Sequence, residues 1–222
     1  MRNIFDILFR RKIESGVTKA QVEQALRDGT DDETVRRAAL VHLASDVILQ
    51  VLNRKYQGKH RTYFSNYNES CQVCAIGSAI VSELTLSKKK TISDLNRMSI
   101  DRGGCYGQDS LFTAGELMEL ENLFEGTLYN HMSGRYTNQA DRALLIIFSL
   151  IVEEQGDISK VMERLGPGTS FKAEKIMSTI KDITARHGKD ILEGTEACDI
   201  LKDLKASKVS VPRNYKNFDW KM

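Results

Sequence analysis

The chain has 222 residues, 41% hydrophobic and 28% charged, with a mean hydropathy of −0.36. These values exclude a collagen-like, disulfide-scaffold or largely disordered chain and fit a globular protein with room for a real core. Net charge is only +2, but it runs +3 over residues 1–20, −5 over 21–201 and +4 over 202–222. An acidic body with basic ends suits an acidic partner.

Two prolines in the whole chain leave few helix breakers, so the sequence predicts a mainly α protein, a multi-helix bundle with an extended C-terminal tail. It divides into N-terminal helices over 1–30, a helical core domain over 31–206 and a basic aromatic tail over 207–222. No apolar run approaches the roughly 18 residues of a membrane span. The first twelve residues place their charges after the apolar stretch and lack a small-residue cleavage site, unlike a secretory signal. A cytoplasmic location follows, with the four cysteines, at 71, 74, 105 and 198, expected as reduced thiols.

In chain order, Thr18 with Gln21, Thr30 with Glu33 and Thr113 with Glu116 have the spacing of a capping box, which predicts three helix starts. The second helix, about 32–56, sets Val35, Ala39, Leu40, Leu43, Val47, Ile48, Val51 and Leu52 along one stripe. Residues 57–72, polar and aromatic without a period, read as a loop. A helix follows over about 73–86, with Lys88–Lys90 complementing its negative end. The glycine-rich stretch 101–110 reads as a loop. Further helices are predicted at 114–125, 138–155, 158–165, 171–187 and 195–206, and no strand is predicted. His42 and His187 read as surface or rim residues. Asp141, with Arg135 and Arg142, reads as a contact that holds the loop 126–137 to the bundle.

The densest chemistry lies in Cys71-Gln-Val-Cys74-Ala-Ile-Gly77. A thiol at the first turn of a helix has a lowered pKa, so Cys74 with His131 as base is a candidate catalytic pair. Zinc is the other use of the spacing, with Cys71, Cys74 and Cys105 supplying sulfurs. Against both stands a buried structural cysteine, the reading that residue type favours. On that reading Cys74→Ser would strand a hydroxyl in an apolar site and cost stability.

Cys71-x-x-Cys-Ala-Ile-Gly-Ser-Ala79, Leu111-Phe-Thr-x-x-x-Leu-x-x-Leu-Glu-Asn-x-Phe-Glu125, Asn138-x-x-Asp-Arg-x-Leu-x-x-Ile147 and Gly156-Asp-Ile158 together resemble a family of uncharacterised helical proteins of phages and bacteria, over about residues 35–160. The resemblance implies a phage-type accessory protein and carries over no catalytic residue.

The leading expectation is a cytoplasmic interaction protein, a modulator that binds a host or self protein. In the tail, Tyr215, Phe218 and Trp220 interleave with Arg213, Lys216 and Lys221, setting large apolar anchors beside positive charge. The alternatives are a cysteine-dependent enzyme using Cys74 with His131, and nucleic-acid binding through the tail by phosphate contacts and base stacking. The sequence requires no cofactor and no membrane, and leaves a homo-oligomer open.

Overall fold

The computed structural model describes residues 16–59, 64–67, 70–87, 111–128, 139–187, 195–206 and 208–210. Among them the chain is mainly helical: α1 Lys19–Asp28, α2 Glu33–Leu52, α3 Ala75–Leu86, α4 Ala114–Asn122, α5 Gln139–Glu153, α6 Ile158–Arg164, α7 Glu174–His187 and α8 Thr195–Ala206. A π-helical turn, Leu123–Leu128, continues α4. No helix among the described residues is long and apolar enough to cross a membrane.

Two of the three predicted capping boxes form. Thr18 and Thr113 each accept the N–H of the residue three positions on, and Gln21 and Glu116 reach back to the cap N–H. The third does not. Asp32 caps α2 instead, its Oδ1 accepting from Thr34 and Val35, and Thr30 accepts the Asp32 N–H. A carboxylate two residues nearer the apolar run displaces the threonine as cap.

Residues 57–72 are not all loop. β1 Tyr56–Gly58, β2 Phe64–Tyr67 and β3 Ser70–Val73 form a sheet in the order β1-β3-β2, with β3 parallel to β1 and antiparallel to β2. A second ribbon pairs β4 Ser170–Lys172 with β5 Lys208–Ser210. β4 occupies the residues predicted to start a helix at 171, so α7 begins at Glu174.

The core is built on α2 and α5, which pack along each other. Both are buried around almost their whole circumference, beyond the single stripe that periodicity suggests for α2. His42, predicted at the surface, is 3% exposed. Within α2, Gln50 donates to Asp46 Oδ1 at 3.0 Å and Ser45 Oγ donates to the Val41 carbonyl at 2.8 Å, and beside it Tyr56 of β1 and Ser82 of α3 share a hydroxyl hydrogen bond of 3.0 Å, while the buried Ser149 Oγ of α5 has no hydrogen-bond partner among the described residues. Burial raises both the Asp46 carboxyl and the Tyr56 phenol, so each favours its neutral form. α1 adds Val22, Ala25 and Leu26 to the same core.

Asp141 ties the ends of this pair together. It sits in the first turn of α5, where a carboxylate opposes the helix dipole. Its Oδ2 meets Arg54 Nη1 at 2.7 Å and its Oδ1 accepts the Gly58 N–H at 2.5 Å. Arg54, with φ +60°, leaves the α2 terminus in the left-handed region so that the chain turns back into β1. Asp141 thus meets Arg54, just beyond the end of α2; Arg135 and residues 129–138 lie outside the described residues.

Gly58 lets β1 approach the backbone of α5: a Cβ there would lie 2.5 Å from the Ala140 carbonyl carbon and 2.7 Å from Asp141 N. Backbone cannot yield as a side-chain tip does. Gly58→Ala should therefore lower stability by about 3 kcal/mol, the upper part of the overpacking range, as read from urea unfolding. A loss below about 0.5 kcal/mol would show that the β1–α5 contact is loose.

Candidate functional site

The chemistry-bearing residues that the sequence singles out converge on the turn from β3 into α3. β3 delivers Cys71, whose N–H donates to the Lys55 carbonyl at 2.8 Å, and the chain enters α3 at Cys74. Cys74 is the N-cap: its backbone is extended, its sulfur accepts the Gly77 N–H at 3.4 Å and its carbonyl accepts the Ser78 N–H at 2.9 Å. Both thiols are free and each is 1% exposed.

The first turn of α3 has a second acceptor. Glu121, in the last turn of α4, is 1% exposed and takes the Ile76 N–H on Oε2 at 3.0 Å. A carboxylate from one helix thereby caps another, which the local pattern around Glu121 does not announce. Glu125, one turn on in the π-helical segment, is also buried. π-Helical turns recur at functional sites, and this one separates the carboxylates from the segment 129–138.

Electrostatics here run opposite to a reactive cysteine. Burial, then the charge of Glu121, push the Cys74 thiol well above its ordinary range, and the Gly77 amide offsets only part. Burial also raises Cys71, with Lys55 pulling it back. Burial pushes the Glu121 carboxyl from 4.5 up to about 7, against hydrogen bonds from Ile76 and Cys74 that favour its charge. The arrangement is a sealed thiol–carboxyl contact in which the thiol keeps its proton. It lacks the thiolate character and access that nucleophilic or redox chemistry needs.

His131, the proposed base, and Cys105, the proposed third sulfur, lie outside the described residues, as do the tail residues Arg213, Tyr215, Lys216, Phe218 and Trp220. Among the described residues no three His, Cys, Asp or Glu side chains are grouped to hold a metal ion.

A second place is open to solvent. A cleft of about 420 Å³ lies where α6, β4 and α7 meet, lined by Arg164, Thr169, Ser170, Phe171, Lys172, Glu174 and Lys175. Arg164 holds its rim through Glu153 and Glu154, both at 2.7 Å. Phe171 lies opposite Val209 in the ribbon, and Val209 is 1% exposed, so the ribbon is anchored to the core through β5. Ser210 pairs with Ser170, which fixes the root of the tail at the cleft. No family model, curated protein or solved structure matches the chain.

Two outcomes follow for the buried cluster. Cys74→Ser keeps an N-cap of a preferred type with Gly77 and Glu121 in place as partners, so stability should change by less than about 1 kcal/mol. This replaces the loss expected from sequence. The parent thiols should react with a thiol reagent at neutral pH only as fast as the protein opens; rapid labelling of native Cys74 would contradict the sealed site.

The raised carboxyl gives a signed pH dependence. Native Glu121 holds its proton more tightly than the unfolded chain does, so its contribution is fully present below about pH 4.5 and is lost as the pH rises through about 7. The loss is of the order of 3 kcal/mol. Glu121→Gln, which keeps an acceptor for Ile76, should remove this slope and raise the urea midpoint at pH 8. An unchanged slope would mean that Glu121 is not the group that titrates.

Proposed function

We propose that this chain is a cytoplasmic interaction protein that docks a protein partner through the segment following β5. One observation carries the reading: Val209 roots the ribbon in the core while Ser210, opposite Ser170, releases the chain at an open cleft. The next residues in sequence interleave Tyr215, Phe218 and Trp220 with Arg213, Lys216 and Lys221. Aromatic residues and arginine are the types that dominate binding hot spots, and a rooted segment presents them with less lost freedom than a free chain end. The burial and raised pKa of Cys74 weigh against the cysteine-enzyme alternative. A role in modulating a host protein, as the resemblance to phage and bacterial proteins implies, belongs to the same proposal.

The geometry also sets where to cut. Removing residues from 207 onward would take Val209 out of the core and confuse stability with binding. Deleting 211–222 should leave the melting temperature within about 2 °C and abolish capture of the partner from a bacterial lysate, with Trp220→Ala producing most of the loss, about 2 kcal/mol or more. Capture that survives the deletion would overturn the reading.

A further inference from the structure

The ribbon and the start of α7 break local electrostatic rules in one place. The β4–β5 register sets Lys172 directly opposite Lys208, and like charges so paired destabilise an antiparallel ribbon. Lys175 is the second residue of α7, where the positive end of the helix dipole disfavours a cation. Lys172 and Lys175 are exposed and line the same cleft, and among the described residues neither is in an ion pair. Glu174 is the opposing charge in the lining, and it sits in the first helical turn where its charge suits the dipole. Arg164 is already held by Glu153 and Glu154.

Sequences ordinarily avoid such conflicts, and where they persist a compensating interaction outside the fold accounts for them. We propose that the cleft at Lys172 and Lys175 is the second half of the docking face and receives the acidic side chains of the protein partner. This rests on the tail reading above and extends it. Carboxylates placed between Lys172 and Lys175 would offset the charge that the ribbon and the helix start leave unbalanced, and the half-buried Phe171 offers an apolar floor beside them. Phosphates would meet the same lysines, but neither Thr169, whose hydroxyl donates to the Gly166 carbonyl, nor the committed Arg164 supplies the convergent donors a phosphate site uses. Carboxylates on a partner protein are therefore favoured over a nucleic-acid backbone.

The test uses the full chain and a fluorescently labelled glutamate-rich peptide, with an oligothymidylate of equal charge as competitor. The peptide should bind, weaken on going from about 50 to 200 mM salt, and weaken at least about tenfold for Lys172→Glu combined with Lys175→Glu. Both lysines are exposed, and a glutamate suits the first turn of α7 and the position opposite Lys208, so the melting temperature should not fall. If that double variant fails to fold, Lys172→Gln with Lys175→Gln should give a smaller loss in the same direction. No binding, affinity indifferent to these lysines, or stronger binding by the oligothymidylate would overturn the proposal. A partner captured through Trp220 whose affinity ignores Lys172 and Lys175 would sink the cleft alone; capture that ignores Trp220 would sink the tail reading.

Discussion

Two helices buried on nearly every side, α2 and α5, impose the constraint from which the remaining architecture follows. A helix so enclosed cannot leave its polar side chains to water, and each must find a partner inside or lose its charge. Asp46 accepts from Gln50, and burial raises its carboxyl above the usual carboxylate range. At the end of the pair Asp141 is met by Arg54 and by the Gly58 amide, which draws β1 against α5. At the other end Gly156, with φ +80°, passes so close to Arg37 of α2 that a Cβ would lie 2.4 Å from its carbonyl oxygen. Arg37 in turn pairs with Asp157, the cap of α6. The contacts of the central pair thus determine where the sheet and α6 can lie.

The same enclosure separates two kinds of chemistry. Thiols and carboxylates that could take part in catalysis are drawn inward, where burial holds Cys74 protonated and brings the Glu121 carboxyl up to about 7. Arg142 of α5 is buried with them, whereas Lys172 on the ribbon and Lys175 at the start of α7 are exposed. The inner cluster is explained by capping: Cys74 and Glu121 together occupy amide donors of the first turn of α3. The outer lysines have no such internal account. Their placement, next to the start of the segment that follows β5, is what motivates the functional reading of the C-terminal face.

The local part of this fold is legible in the sequence, and the rest depends on distant pairing. The capping boxes at Thr18 and Thr113 involve residues three apart and form as their spacing dictates. Thr30 fails because Asp32, two residues on, offers a charged acceptor at a better register. The strands escape notice because three or four residues, rich in Ser, Gln and Gly, are too short to show alternation. β1 and β3 exist as strands because each gives the other a parallel partner distant in sequence, with β2 pairing antiparallel on the far side of β3. For α2, Ala, His, Ser and Asp opposite the leucine stripe read as a solvent face, and only the surrounding elements make it an inner one. Nothing in the sequence singles out Glu121; its role appears once α4 is laid against the start of α3. Cys74 is recognisable as a helix start, and the burial that its residue type favours is what the structure has; that burial reverses the sign of the pKa shift the dipole alone would give.

Hydrogen–deuterium exchange on the free chain and on its complex with the captured partner compares these two regions in one measurement. The account requires new protection on complex formation over residues 164–175 and 208–222, with 71–77 and 117–125 already slow in the free chain and unchanged. Protection gained instead at the turn into α3 and in the π-helical segment, with the ribbon and tail unaffected, would place the working surface at the thiol–carboxyl cluster and contradict it.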